Sequence, residues 1–176
     1  NYAYWFQLEG VPTFRRSYNF YQSNRTTAAL VGEWVQEARA AFGAAKVDIV
    51  AHSMGAMSSR YYLKYLGGTD FVDDWLSIGG VNYGSTAPVF CGGSLSWYTV
   101  CQEMTIGSAF LQELNAGDDT PGAVNYGAIW SSCDELINPD ANAQIIGGAN
   151  IYVGCYEHSA MLYSFYVYGR VRDFTR

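Results

Sequence analysis

Residues 46–55 read KVDIVAHSMG, an apolar run that ends in a serine flanked by small residues. Residues 46–51 are mostly apolar and rich in β-formers, which predicts a central strand covered on both faces. A helix is predicted directly afterwards, from about Met54 to Leu66, ending at the two glycines that follow. A serine between a strand and a helix is the arrangement of a nucleophile elbow.

The residues around this serine fit the steric demands of such an elbow. The chain turns so tightly that large side chains two residues before or after Ser53 would collide, and these positions hold Ala51 and Gly55. The strained turn exposes the serine hydroxyl, which makes Ser53 the candidate nucleophile. The following helix points its N-terminus at the reaction centre, so the Met54 backbone N–H is the candidate donor to an oxyanion.

A serine nucleophile needs a base, and the chain holds two histidines, His52 and His158. His52 lies inside the elbow, and we expect its side chain to be aimed elsewhere, as a packing residue beside the site. His158 follows the apolar run 151–153 and precedes the last helix, which places it in a loop at the end of a strand. By elimination, His158 is the candidate base.

The acid that orients the base is expected between the serine and the histidine in chain order. The candidates in that interval are Asp70, Asp73, Asp74, Glu103, Glu113, Asp118, Asp119, Asp134, Glu135 and Asp140. The first three precede a strand, at its wrong end, whereas Asp118 and Asp119 lie in a turn-like stretch and are expected to be solvated. Asp134 is preferred because it follows the apolar run 128–130, at the carboxyl end of a strand, where ligands bind in open α/β sheets. Glu135 and Asp140 are the alternatives.

The rest of the chain alternates between strand and helix patterns, which predicts an α/β fold with a largely parallel sheet and helices on both faces. Further helices are predicted at 26–42, 108–115 and 159–174, and further strands at 14–20, 75–78, 123–130 and 144–153. One face of the last helix is expected to hold Met161, Phe165, Tyr168 and Val171. With no internal repeat or low-complexity tract, we expect residues 1–176 to form a single domain.

Composition narrows the function classes. Of the 176 residues, 49% are hydrophobic and 15% are charged, which excludes intrinsic disorder, and no apolar run approaches the ~20 residues of a membrane span. The net charge of −6 disfavours nucleic acid as a partner. The sparse charge and the many glycines and tyrosines are typical of a secreted protein.

The four cysteines, at positions 91, 101, 133 and 155, include no CxxC motif, which favours two disulfides in an oxidising compartment over a metal site. Three pairings exist in principle. We expect Cys91–Cys101 and Cys133–Cys155, because the second bridge would connect the loops of Asp134 and His158. No metal and no organic cofactor is expected.

Five stretches of the sequence carry a resemblance to a known family. They are KVDIVAHSMG and residues 58–68, 72–85, 114–139 and 153–174. They resemble the small secreted bacterial lipases of the α/β-hydrolase superfamily, the lidless class 2 type of Bacillus and Streptomyces, with the later stretches closer to the actinobacterial branch. The resemblance covers about Phe20 to Phe174. It implies Ser53 as nucleophile, Asp134 as acid and His158 as base.

The resemblance also implies an activity, the hydrolysis of carboxylic esters, acylglycerols above all, by an extracellular bacterial enzyme. The implied partners are a small-molecule or lipid ester and a lipid interface at the surface, with no obligate protein partner. A non-catalytic binding domain, a short-chain esterase and a polyester hydrolase are the alternatives. The exposed rim of an acyl site is one interpretation of Trp97, Tyr98, Phe165 and Tyr166. Ordinary packing is the other.

One departure from the family concerns the start of the chain. Family members begin with an apolar strand that ends in His-Gly, and the loop after it supplies a second oxyanion N–H. The two histidines of this chain are otherwise accounted for, and we expect the chain to begin, at Asn1, inside the helix that follows this strand. Either the oxyanion hole is incomplete, or the strand and its loop lie upstream of Asn1. Because the loss of a central strand would endanger the fold, we expect the upstream segment.

Overall fold

The structure, a computed structural model, describes residues 1–86 and 97–176. Its strands form one parallel four-stranded sheet in the order β1-β2-β3-β4. The strands are β1 (Val47–His52), β2 (Val72–Ile78), β3 (Asn125–Trp130) and β4 (Ala149–Tyr152). The helices are α1 (Tyr2–Leu8), α2 (Asn24–Phe42), α3 (Gly55–Tyr65), α4 (Thr99–Met104), α5 (Ala109–Leu114) and α6 (Phe165–Phe174). Short 3-10 turns cover Gly68–Asp70, Asp140–Ala143 and Ala160–Tyr163.

Helices cover both faces of the sheet, because side chains alternate along its strands. On β2, Trp75 belongs to a buried cluster with residues of α2 and α3, and its indole N–H donates to Ser59 Oγ at 2.8 Å. Its neighbour Leu76 belongs to a second cluster, with residues of α1 and α6 such as Phe6 and Tyr168. This arrangement confirms the predicted α/β class with a parallel sheet and two helical layers.

Both ends of α2 follow from local sequence signals. Ser23 accepts a hydrogen bond from the Arg25 backbone N–H at 3.2 Å and caps the N-terminus. Gly43 ends the helix in the left-handed conformation at φ 63°, which glycine adopts without steric cost. The prediction of this helix is confirmed, with its start two residues earlier than expected.

The predicted strand at residues 14–20 is wrong, because this segment has no regular structure. A strand needs a neighbour to satisfy its backbone groups, and none is paired with this segment. It runs over α2 instead, where Arg16 pairs with Glu37 at 2.8 Å and the Tyr18 ring lies 5.9 Å from that of Trp34. Aromatic residues favour strands only where a sheet surface receives them.

The interpretation of β1 as a central strand covered on both faces also needs correction. Within the described residues β1 pairs only with β2, so it lies at the edge of the sheet. Val50 is accordingly 38% exposed, whereas Ala51 is buried against the core.

The predicted last helix is two pieces. A 3-10 turn at Ala160–Tyr163 ends at Ser164, whose backbone is extended (φ −84°, ψ 121°), and α6 begins after it. Ser164 Oγ accepts from the Val167 N–H at 3.3 Å, so this serine is a helix cap that the apolar periodicity conceals. Because of the break, Phe165 is 65% exposed instead of lying on the buried face, which Val167 occupies.

None of the helices in the described ranges is long and apolar enough to cross a membrane.

Candidate active site

Ser53 lies in a strained turn between β1 and α3. Among residues 1–86 and 97–176 it is the one non-glycine residue with positive φ, at 56°. The turn is fixed on both sides: the Ser53 N–H donates to the Ile78 carbonyl at 3.0 Å, and its carbonyl accepts from the N–H groups of Ala56 (3.1 Å) and Val81 (3.3 Å). Such strain persists only where the surrounding structure over-determines it, as in a nucleophile elbow.

The Met54 backbone N–H lies at the N-terminus of α3, where N–H groups lack intrahelical acceptors. Met54 itself is the N-cap residue, with φ −56° and ψ −27°. Its side chain packs towards Val100 and Cys101 of α4. The N–H is therefore placed beside Ser53 at the positive end of a helix dipole.

Asp134 and His158 form a buried pair at the carboxyl edge of the sheet. His158 Nδ1 lies 2.9 Å from both carboxylate oxygens of Asp134, and the two residues are 1% and 4% exposed. Because a carboxylate only accepts, the neutral imidazole carries its proton on Nδ1 and leaves Nε2 as the basic nitrogen. Asp134 Oδ1 also accepts from the N–H groups of Leu136 (3.0 Å) and Ile137 (3.1 Å), which fix the carboxylate.

Gly79 brings this pair next to the elbow. It follows Ile78, which holds the Ser53 N–H, and its own N–H donates to the Ile129 carbonyl at 2.9 Å. At φ 51°, a Cβ on Gly79 would lie 2.9 Å from Asp134 Oδ2 and 3.2 Å from His158 Cε1. The acid and the base therefore lie directly over this glycine. The sequence signal for this glycine is the Gly79-Gly80 pair at the carboxyl end of β2.

Two cross-links join the loops that carry Asp134 and His158. The predicted Cys133–Cys155 disulfide is present, with a Cα–Cα distance of 4.8 Å. Ser131 adds a polar link that the sequence analysis missed, since its Oγ donates to the Tyr156 carbonyl at 2.6 Å and accepts from the Tyr156 N–H at 2.8 Å. The other expected bridge involves Cys91, which lies outside the described residues.

The expectation that the His52 side chain points away from the site is wrong. Its ring lies 4.5 Å from that of His158, and its Nε2 lies 3.3 Å from the His158 carbonyl oxygen. Burial is the larger cause and the proximity of His158 the smaller one, and together they lower the pKa of His52 to about 4. His52 is therefore a neutral residue in direct contact with the candidate base.

The alternative acids have other surroundings. Glu135 Oε2 accepts the backbone N–H of His158 at 2.8 Å instead of contacting the imidazole. Asp140 opens the 3-10 turn Asp140–Ala143. Asp134 is thus the carboxylate that contacts the ring.

The expectation that Asp119 is solvated is wrong. Asp119 is buried and pairs with the buried Arg60 guanidinium at 2.9 Å, while Tyr83 donates to its second oxygen at 2.7 Å. Asn115 also accepts from Arg60, at 3.0 Å. This ion pair lies beneath the loop after β2. The turn-like sequence around Asp119 did not indicate it, because its partner Arg60 is far away in the chain.

Aromatic side chains are exposed at two of the places where an acyl-binding rim was predicted. Trp97 is 66% exposed and stacks on Tyr98 at 4.3 Å, and Tyr98 lies 4.6 Å from the ring of Tyr21. Phe165 and Tyr166 are exposed at the start of α6, where Phe165 packs edge-on against Trp5. Each group thus has an exposed aromatic side chain that also packs against a neighbouring ring, so each is compatible with both interpretations.

A cavity of about 530 Å³ lies elsewhere, between α4, α5 and the N-terminus of α2. Its lining includes Arg25, Glu103 and Phe110 but neither Ser53 nor the Asp134–His158 pair. The cavity is therefore separate from the candidate catalytic residues. Across 1–86 and 97–176, no group of three or more His, Cys, Asp or Glu side chains is arranged to hold a metal ion.

A parallel sheet with a serine elbow after one strand and an Asp–His pair after later strands defines the α/β-hydrolase class. The chain belongs to the class 2 lipase family, whose model matches residues 30–175.

Solved structures of lipases share the fold. Aspergillus fumigatus lipase B matches with a TM-score of 0.69 at 19% identity, over 81% of this chain and 39% of that one. Bacillus licheniformis lipase BlEst2 matches in its mature form (TM-score 0.62, 15% identity, 78% of this chain and 68% of that one). It also matches in its propeptide form, with a TM-score of 0.71 at 15% identity, over 88% of this chain and 41% of that one. The chain thus spans about two fifths of the Aspergillus lipase, and at these identities the likeness is one of fold.

Proposed function

We propose that this chain is a secreted serine hydrolase that cleaves carboxylic esters, acylglycerols above all, with Ser53 as nucleophile, His158 as base and Asp134 as orienting acid. The observation that carries the proposal is the buried Asp134–His158 pair, at 2.9 Å, stacked over Gly79 beside the strained serine. A merely structural Asp–His hydrogen bond would not require a serine at positive φ next to it.

The acylation step follows from these positions. Ser53 Oγ attacks the acyl carbonyl carbon while His158 Nε2 takes the hydroxyl proton. Asp134 then stabilises the imidazolium through Nδ1–H, and the alcohol leaves with the proton from Nε2 as the tetrahedral intermediate collapses. Water repeats the sequence on the acyl-enzyme, which releases the acid and regenerates Ser53.

The Met54 N–H is the oxyanion donor on the elbow side. It lies at the N-terminus of α3, so both the hydrogen bond and the helix dipole favour negative charge on the carbonyl oxygen. Removing one such donor in serine hydrolases costs roughly 10²–10³ in rate, so this N–H is a main contributor to the barrier reduction.

The family and the surface of the protein support a lipid substrate, and a disulfide supports secretion. The family to which the chain belongs is a lipase family, and the exposed Trp97, Phe165 and Tyr166 provide apolar surface for acyl chains. The Cys133–Cys155 disulfide favours an oxidising compartment, as in secreted proteins.

A chain-length series tests both activity and substrate class. Wild type, Ser53→Ala and the control Ser159→Ala are assayed with p-nitrophenyl esters from acetate to palmitate and with emulsified triacylglycerol. Ser159 is an exposed serine next to His158 and makes no side-chain cap bond. We expect wild type and Ser159→Ala to be active up to long chains, and Ser53→Ala to lose both hydrolysis and labelling by a serine-directed phosphonate.

Other outcomes of this series decide against the proposal. Activity confined to acetate and butyrate indicates a short-chain esterase, and hydrolysis of a solid polyester without triacylglycerol indicates a polyester hydrolase. A folded wild type that neither hydrolyses esters nor reacts with phosphonate indicates a binding domain.

A further inference from the structure

The main-chain groups of His158 are held on both sides by side chains from elsewhere in the site. Its N–H donates to Glu135 Oε2 at 2.8 Å, and its carbonyl oxygen lies 3.3 Å from His52 Nε2. Glu135 directly follows Asp134, and His52 directly precedes Ser53. The sequence neighbours of the candidate acid and nucleophile therefore both bind the backbone of the candidate base.

The His52 contact fixes which ring nitrogen of this side chain carries a proton. A carbonyl oxygen only accepts, so the contact is a hydrogen bond in which His52 carries its proton on Nε2. Its ring also lies against the His158 ring, with centroids 4.5 Å apart and planes tilted by 44°. His52 thus contacts both the backbone and the ring face of His158.

We propose that His52 and Glu135 are positioning residues that together set the place of the His158 imidazole between Ser53 and Asp134. The proposal rests on the proposed function, since it assigns these two residues to the same reaction. Neither residue touches the reacting atoms in this assignment.

The loop that carries His158 explains why such contacts are needed. β4 is four residues long and ends at Tyr152, and residues 153–159 have no helix or strand of their own. The ring position therefore depends on side-chain contacts and on the Cys133–Cys155 bridge. Proton transfer requires a heavy-atom distance of about 2.6–3.2 Å, and a displacement of ~1 Å can cost ~10²-fold in rate.

Burial of His52 also suits the charge changes of the reaction. When His158 becomes an imidazolium, a second cation stacked on it would oppose the proton transfer by like-charge repulsion. The pKa of His52 is lowered to about 4, mainly by burial, so His52 stays neutral near pH 7. A neutral ring can therefore support His158 without raising the barrier.

The kinetic test compares three Glu variants. Glu135→Ala removes the acceptor, Glu135→Gln keeps an oxygen that can accept the His158 N–H, and Glu157→Ala removes an exposed carboxylate next to His158 as the control. With p-nitrophenyl butyrate we expect kcat to fall at least ~10-fold in Glu135→Ala, to recover within ~3-fold of wild type in Glu135→Gln, and to be unchanged in Glu157→Ala. We expect KM to stay within about twofold throughout, since the binding surface is intact. Equal kcat values for Glu135→Ala and Glu157→Ala would overturn the role of Glu135.

His52→Phe keeps a ring against His158 but removes the donor, and we expect kcat to fall by ~10–100-fold with little change in KM. A wild-type kcat in this variant would overturn the role of His52. If the variant does not fold, the wild-type protein decides, through a spectroscopic test that needs no activity.

That test is ¹⁵N histidine NMR, which is simple to assign because the chain has two histidines. We expect His52 to be neutral with its proton on Nε2 throughout pH 5–8. A proton on Nδ1, or titration near the ordinary histidine pKa of about 6.5, would overturn the role of His52. An inactive wild type with the expected His52 signal would instead contradict the proposed function, so the two failures are distinguishable.

Discussion

The imidazole of His158 meets the carboxylate of Asp134 symmetrically, with Nδ1 2.9 Å from each oxygen, and both side chains are buried. The two residues are separated by 24 positions and lie on loops after β3 and β4. Because the pair is removed from water, the orientation of the imidazole depends on this carboxylate.

Replacing Asp134 with Asn tests that dependence. The amide can donate to Nδ1, so the imidazole would carry its proton on Nε2 and could not accept from Ser53. We expect kcat to fall by ~10³–10⁴ while the circular dichroism spectrum is unchanged. Asp140→Asn, which changes a carboxylate in the nearby 3-10 turn, is the control and should retain activity. If Asp134→Asn kept the wild-type kcat while Asp140→Asn lost activity, the assignment of Asp134 as the acid would be wrong.

Gly79→Ala tests the packing under the pair. A Cβ there would lie 2.9 Å from Asp134 Oδ2 and from Met161 Cε, and the left-handed φ of 51° adds backbone strain. We expect a fall of at least ~10-fold in kcat, because the imidazole must shift, and a loss of about 1–3 kcal/mol in the free energy of unfolding. Gly107→Ala is the matched control, since Gly107 also has positive φ (76°) but no atom within 4 Å of an added Cβ. Gly107→Ala should therefore lose stability and keep kcat, and equal kcat losses in both variants would contradict a specific effect at Gly79.

The depressed pKa of His52 makes stability depend on pH in a predictable direction. Its folded-state pKa is about 4, below the unfolded value of 6.5, so the unfolded chain binds the proton more readily. Its contribution to stability is complete above about pH 6.5 and is lost as the pH falls towards 4. We expect this loss to be on the order of 1–3 kcal/mol.

Urea denaturation of wild type and His52→Gln at pH 7 and pH 4.5 measures this contribution. The difference between the two proteins should shrink at the lower pH, because the variant lacks the titrating group. Comparing the two proteins also cancels the opposite contribution of Asp48, whose pKa is raised to about 6 by burial. A difference that is the same at both pH values would contradict the depressed pKa.

Removing the Cys133–Cys155 bridge should affect stability and activity together. The bridge closes a loop of 22 residues, which corresponds to roughly 3 kcal/mol in the chain-entropy model. It also holds the Asp134 loop against the His158 loop. We expect the Cys133→Ala/Cys155→Ala variant to lose kcat and Tm, measured by ester hydrolysis and thermal denaturation. A lowered Tm with wild-type kcat would show that Ser131 and the other loop contacts suffice to hold the two loops in place.

Peptide mapping without reductant tests the Cys91–Cys101 pairing. A 91–133 or 101–155 linked peptide would exclude both expected bridges.

Asp119→Ala should be among the more damaging changes outside the site. It leaves the buried Arg60 guanidinium without its carboxylate, and breaking a buried ion pair in this way costs about 3–5 kcal/mol. The double variant Arg60→Met/Asp119→Leu removes both charges and should be less destabilised than the single variant in urea denaturation. A cost below about 1 kcal/mol for Asp119→Ala would show that Asn115 and Tyr83 replace the carboxylate.

Local rules in the sequence determined the parts of this protein that depend on neighbouring residues. The elbow around Ser53 was predictable because a strand-to-helix turn restricts the sizes of residues 51 and 55. The ends of α2 were predictable because Ser23 and Gly43 satisfy helix termini within a few residues. Chain order and the apolar runs before Asp134 and His158 likewise indicated both residues as candidates.

Only the tertiary structure decided what depends on residues far apart in the chain. Residues 14–20 have strand-forming side chains but no strand to pair with, and a sheet neighbour is not a local property. Asp119 lies in a turn-like stretch and yet is buried, because Arg60 on α3 reaches it across 59 positions. The backbone of His52 is determined by the adjacent turn at Ser53. Its side chain, however, is positioned by the carbonyl of His158, which is 106 residues away. Sequence patterns report backbone geometry and local burial, whereas hydrogen-bond partners between distant segments follow from how the layers pack.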